Sequence, residues 1–170
     1  MSDAKERMSR QACTRDVRLM AERTALLYHY FVTTLIECLG EEEAKQITRE
    51  AIQRYGEHVG RAVRAGVEAQ GLPNTVENYR KVPDLPSVGW ESEVVETEHG
   101  PRRRVVYCPL AAVWKELGVE DLGRMYCYVD QAKYRAYNPG ATLIHTCNVL
   151  DGDPYCEFDI QVEDERDSRS

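Results

Sequence analysis

Small and apolar residues recur at three- and four-residue steps near the start of the chain. Val17, Met20, Thr24, Leu27, Phe31, Leu35 and Cys38 form one stripe of a helix from Asp16 to Leu39, which Gly40 stops. A second helix is predicted from Glu41 to Gln70. Its first turn carries Glu41, Glu42 and Glu43, suited to the positive end of the helix dipole, and Gly71 closes it. With almost no linker between them, the two helices are expected to form an antiparallel hairpin. On the second helix Ala44, Ile47, Ala51, Tyr55, His58 and Ala62 share a face, which predicts an inward His58. Gly56 and Gly60 permit a neighbour to approach closely.

From Leu72 to Gly89, Pro73, Pro83 and Pro86 exclude a long helix and predict an irregular crossing placed to cover a site. Trp90–Thr97 and Arg102–Cys108 read as two strands around the turn Glu98-His99-Gly100-Pro101, with His99 in solvent. Pro109 suits the first turn of a short helix that Gly118 ends. A longer helix is predicted from Glu120 to about Tyr137, ended by Asn138-Pro139-Gly140.

The last hairpin carries the clearest alternation. Leu143, His145, Cys147 and Val149 share one face of its first strand, and Cys156, Phe158, Ile160 and Val162 one face of its second. A four-residue loop from Asp151 to Pro154 pairs Leu150 with Tyr155 and sets Val149 opposite Cys156. Cys147 and Cys156 then become diagonal neighbours, roughly 7 Å apart at the backbone. The elements together predict an α+β fold: an N-terminal helical hairpin and further helices packed on a roughly four-stranded antiparallel sheet. We expect a single domain over residues 1–170, flexible at 1–15 and 163–170.

Composition narrows the function classes. No apolar run approaches the roughly 20 residues that span a bilayer, and Met1 to Arg10 lack a signal peptide's apolar region. A cytoplasmic protein with no membrane partner is expected. A net charge of −7 argues against nucleic acid as a partner. The one compact basic run, Arg102-Arg103-Arg104, reads as a solvated strand beside Glu91, Glu93 and Glu96 or as an anion contact. Six cysteines without an export signal should be thiols, serving as core residues, metal ligands or nucleophiles.

Cys108 closes a strand just before a proline-started helix, where free N–H groups favour a thiolate; it reads equally as a buried small residue. Cys127 and Asp130 lie three apart on one helical face that Tyr134 continues, pairing a thiol with a candidate general acid or base. The bland alternative is a core cysteine beside a surface acid. His145, Cys147 and Cys156 converge on the last hairpin with types that suit zinc, Cys147 and Cys156 being the candidate ligands, although no Cys-x-x-Cys pair is present. The cofactor reading is therefore none or zinc. His29 and His58 read as ordinary helix histidines unless a positioned partner recruits them. Tyr126, Tyr128, Tyr134, Tyr137 and Tyr155 suit either a pocket with polar tips or an amphipathic core boundary.

The pattern Tyr107-Cys108-Pro109-Leu110, Tyr126-Cys127 with Asp130, Asn138-Pro139, and Gly152-Asp153 with Cys156 and Phe158 resembles the L-2-amino-thiazoline-4-carboxylic acid hydrolase family. Arg23, Leu26-Leu27-Tyr28, Gly40-Glu41, Ala44 and Tyr55-Gly56 extend the resemblance, which runs from about Arg15 to Val162. It implies hydrolysis at a non-peptide C–N bond of a small cyclic amidine or isothiourea, such as 2-amino-thiazoline-4-carboxylate, to a carbamoyl-cysteine-type product. The catalytic candidates are then Cys108, Cys127, Asp130, Cys156 and His58, with substrate contacts from Arg104, Tyr126, Tyr134 and His145. The closing Gly-x-x-x-Cys-x-Phe pattern is also similar to that of 4-vinyl reductase-like domains. That second resemblance implies the rival reading, a non-enzymatic small-molecule-binding or sensory domain with a structural zinc. A small-molecule partner is expected under either reading, and a homo-oligomer is open.

Overall fold

The computed structural model describes residues 9–98 and 100–162. The flexibility expected of 1–8 and 163–170, and the solvated His99, lie outside the described residues. Helix α1 (Arg10–Leu39) begins earlier than its periodicity predicts, because the Ser9 hydroxyl caps it by accepting the Ala12 N–H at 3.1 Å. Gly40, with φ of 85°, turns the chain directly into α2 (Glu41–Glu68). A 3-10 helix (Val76–Lys81) interrupts the irregular crossing. Then follow β1 (Glu91–Thr97), β2 (Gly100–Tyr107), α3 (Pro109–Leu117), α4 (Glu120–Tyr126), α5 (Val129–Tyr137), β3 (Ala141–Cys147) and β4 (Cys156–Val162). The strands form one antiparallel sheet in the order β1-β2-β4-β3. The α+β architecture is the expected one. On β3, Ala141 and Leu143 are buried while Thr142 and Ile144 are exposed, so one face of this edge meets α5 and the other meets solvent.

Both N-terminal helices bury a different face from the expected one. On α1 the core takes Ala21, Ala25 and Val32, whereas Met20, Leu27 and Phe31 are exposed. Close fit decides this: the Trp114 indole N–H donates to the Ala25 carbonyl at 3.1 Å, an approach that a larger residue at position 25 would obstruct. On α2 the buried face runs through Ala44, Thr48, Ile52, Gly56, Gly60, Val63 and Val67. The two glycines meet α5, where a Cβ on Gly56 would lie 2.6 Å from the Ala132 Cβ and one on Gly60 would run into the Lys133 carbonyl. Because α2 is turned to bring this glycine face onto α5, His58 is exposed instead of inward.

The predicted helix from Glu120 to Tyr137 is two helices. At Cys127 and Tyr128 the backbone tightens to three-residue hydrogen bonds, Cys127 N–H to the Arg124 carbonyl at 3.2 Å and Tyr128 N–H to the Met125 carbonyl at 3.3 Å. The last hairpin is also corrected. Leu143 faces Ile160 and His145 faces Phe158; a bulge then sets Cys147 opposite Glu157. The loop is Asn148–Tyr155, longer than predicted, because Asn148 organises it. Its carbonyl accepts the Asp151 and Asp153 N–H groups, its N–H donates to Asp153 Oδ2 at 2.7 Å, and Gly152 takes φ of 95°. Beyond the bulge Cys147 shares a face with Glu157, opposite to Cys156. Among the described residues no helix is long and apolar enough to cross a membrane.

Candidate functional site

A cavity of about 110 Å³ lies where the crossing, α2, α3, the α4–α5 junction and the last loop meet. Its wall includes three thiols, Cys108, Cys127 and Cys156, with Asp84, Asp130, Lys133 and Asn148 as the other polar groups and Tyr55, Trp90, Trp114 and Tyr126 as the aromatic ones. Each element delivers its residue for a local reason. Pro109 starts α3 immediately after Cys108, so the Cys108 sulfur sits at the helix's unpaired N–H groups. The tight turn between α4 and α5 brings both Cys127 and Asp130 to the wall. The loop bends back so that the Val149 N–H donates to the Cys156 sulfur at 3.4 Å. The crossing covers the cavity as expected, supplying Asp84 and Leu85.

Burial dominates the thiols. It pushes the Cys108 thiol up, and the Ala111 and Leu110 N–H groups and the Trp90 side chain oppose it without reversing it. Cys127 is pushed up to about 12, burial outweighing the Asn148 side chain while Asp130 and Cys108 add to the rise. Cys156 is raised by burial too, against the Val149 N–H. All three are neutral thiols near pH 7. The site at Cys108 has the expected N–H groups; desolvation wins over them.

The charged part of the wall is a buried network that the sequence reading missed. Lys133, only 6% exposed, bridges Asp84 at 2.8 Å and Asp130 at 2.9 Å. The Tyr79 hydroxyl donates to Asp84 at 2.8 Å, and His145 Nε2 stands 3.7 Å from Asp130. Burial raises the Asp130 carboxyl, but Lys133 and His145 together pull it below the ordinary carboxylate range. Lys133 is likewise held charged, its two carboxylates outweighing burial. Two carboxylates share one ammonium here. Asn148 is the other omission: its Oδ1 accepts the Leu150 N–H at 2.9 Å, which leaves the buried Nδ2 as a donor with no hydrogen-bond partner.

Cys108, Cys127, Asp130, Cys156 and Tyr126 thus line one cavity, and the other candidates do not. His145 stands behind Asp130, in edge contact with Phe158. Tyr134 stacks on Tyr79 with ring centres 4.3 Å apart. Arg104 pairs with Glu157 at 3.0 Å and lies over the Tyr155 ring, while Arg102 pairs with Asp159 at 3.1 Å; the partners of these two arginines come from β4 and not from the glutamates of β1. Cys147 and the exposed His58 are elsewhere. Among the described residues no group of three or more His, Cys, Asp or Glu side chains is placed to hold a metal ion. The Cys147 and Cys156 donors do not fit zinc, since they lie on opposite faces of the hairpin.

Residues 20–160 match a family model described as L-2-amino-thiazoline-4-carboxylic acid hydrolase. No curated protein and no solved structure matches the chain. The match covers most of the sequence, and the chain belongs to that family.

Proposed function

We propose that this member of the L-2-amino-thiazoline-4-carboxylic acid hydrolase family hydrolyses a small cyclic isothiourea, such as 2-amino-thiazoline-4-carboxylate, to a carbamoyl-cysteine-type product. The observation that carries the reading is the meeting of three thiols, an ionised carboxylate and an unpartnered amide donor in one small cavity. A volume of about 110 Å³ suits a five-membered ring and is well below the roughly 300 Å³ at which larger ligands begin to fit. The two carboxylates balanced by one lysine favour a cationic amidinium over a neutral ring.

The carbamoyl product keeps both nitrogens on the former ring carbon. Water therefore adds across the carbon–nitrogen double bond, and the single bond that breaks in the ring is carbon–sulfur and not the carbon–nitrogen bond expected from the resemblance. Cys108 is the nucleophile in our reading, because the α3 N–H groups stabilise its developing charge. Its proton passes to Asp130 as the sulfur bonds to the ring carbon. The ring sulfur then leaves and takes that proton. Water, deprotonated by Asp130, attacks the thioester-like amidine carbon, and Cys108 departs as a thiol. Asn148 Nδ2 donates to the new oxygen. No step runs through a metal.

The test is thiol release from 2-amino-thiazoline-4-carboxylate by the purified protein. Cys108→Ala should lower kcat/KM at least a hundredfold, the scale on which removing a reacting group is felt. If Cys108→Ala folds and keeps full activity, the mechanism is wrong. The raised thiols favour a second reading, a binding or sensory domain that never needs a thiolate. Ligand-dependent rise in melting temperature without turnover, across several cyclic amidines, would select it.

A further inference from the structure

The face that α1 leaves outside carries its bulkiest aliphatic and aromatic side chains. Met20, Leu27 and Phe31 are 63%, 71% and 65% exposed, and Leu19, Leu26 and Tyr30 flank them in solvent. The stripe Met20, Thr24, Leu27, Phe31, Thr34, Cys38 advances by alternating steps of four and three, the spacing of a coiled-coil seam. With aromatic side chains at roughly 150–250 Å² each and the aliphatic ones somewhat less, the patch is on the order of 600 Å². That is at or beyond the largest patch a monomer ordinarily exposes and approaches the roughly 800 Å² per partner of a standard interface.

We propose that this face is the interface of a homodimer in which two α1 helices pack antiparallel about a two-fold axis near Tyr30. Charge chooses the orientation. Arg23 and Glu37 edge the stripe at equal distances on either side of Tyr30, and among the described residues neither makes an ion pair. An antiparallel copy brings each Arg23 beside the partner's Glu37, twice over by symmetry. A parallel copy sets Arg23 and Glu37 on opposite sides of the seam from their own copies and gives neither an opposite charge. The apolar positions agree, because Phe31 then meets Leu27, Thr24 meets Thr34 and Met20 meets Cys38. A bilayer is a poorer occupant: membrane-binding helices are rich in Lys and Arg beside their apolar face, and here the one arginine at the edge of the stripe is offset by one glutamate. Residues 163–170 carry no apolar side chain to cover the patch.

Sedimentation equilibrium of the full chain at about 20 μM should give twice the chain mass. Leu27→Glu with Phe31→Glu should give the single-chain mass with an unchanged far-ultraviolet helix signal, since both side chains are exposed in the protomer. Arg23→Glu should raise the dimer dissociation constant about tenfold, and adding Glu37→Arg should restore it. Orientation is read separately by crosslinking in a Cys38→Ser background. Tyr30→Cys should oxidise to a covalent dimer, and Met20→Cys, near the end of the seam, should not. A monomeric wild type overturns the proposal. So does a dimer that survives Leu27→Glu with Phe31→Glu, or efficient crosslinking at position 20.

Discussion

Each cavity thiol is neutral because burial costs a thiolate more than the nearby N–H donors return. The consequence for chemistry is that Cys108 needs a base, Asp130, to take its proton as it attacks. If Cys108 attacks while Asp130 takes its proton, both groups already stand in their reactive forms near pH 7, so kcat/KM should be level from about pH 6 to pH 8 and fall only in acid, as Asp130 is protonated. A rate that climbs steadily across that range would mean that a preformed thiolate attacks without Asp130 as its base. Lys133 bears the other residue-scale prediction. Lys133→Met strands two half-buried carboxylates, a loss of about 3 kcal/mol, or a fall in melting temperature of roughly 10 °C in a chain of this length. The sign with pH follows from Asp130. Its carboxyl is depressed in the folded state, so its contribution is complete above the ordinary carboxylate pKa and is lost as pH falls through the lowered value. Asp130→Asn should therefore flatten the acid limb of the stability curve in thermal melts below pH 4. Cys108 was legible in sequence as a thiol at a helix start, and Cys127 and Asp130 as a thiol and an acid on one helical face. Lys133, Asp84 and Asn148 were not, because a lysine and an acid on separate elements carry no local sign of being buried together.

Elements were found more readily than their faces. Periodicity located α2 almost to its ends and α1 all but its first six residues, yet it weighted bulk, and this fold selects for smallness: Ala25 beneath Trp114, Gly56 and Gly60 beneath α5. Gly60→Ala tests that argument. The added methyl meets the Lys133 carbonyl, a rigid backbone atom, so α2 and α5 must separate at a cost of about 1–3 kcal/mol. Melting temperature should drop by roughly 2–12 °C, and because Lys133 is on the displaced helix, activity should fall in protein that remains folded. Gly71→Ala, where no atom lies within reach of a new Cβ, should disturb only its own left-handed turn at φ of 71°. The last hairpin makes the same point for strands. Its alternation was readable, whereas its register depended on Asn148 gathering Asp151 and Asp153, a loop network with no counterpart in alternation.

At the scale of the molecule, helix and sheet close around a cavity whose charge does not cancel. Asp84 and Asp130 face a single lysine. A ring that arrives as an amidinium completes the network; a neutral ring of the same shape leaves one carboxylate buried beside it without a counter-charge. Two isosteric ligands separate this electrostatic account from simple filling of space. At one hundred times its dissociation constant a bound ligand contributes about 2.7 kcal/mol, which moves the melting temperature of a chain of this size by roughly 5–10 °C. Protonated 2-aminothiazoline should give a shift of that order, and 2-methylthiazoline, neutral at the same pH and concentration, almost none. In Asp84→Asn protein the balance is one to one, and the preference for the cation should largely vanish while the Cys108 chemistry keeps its groups. Equal stabilisation by both rings in the unaltered protein would mean that the cavity reads shape alone.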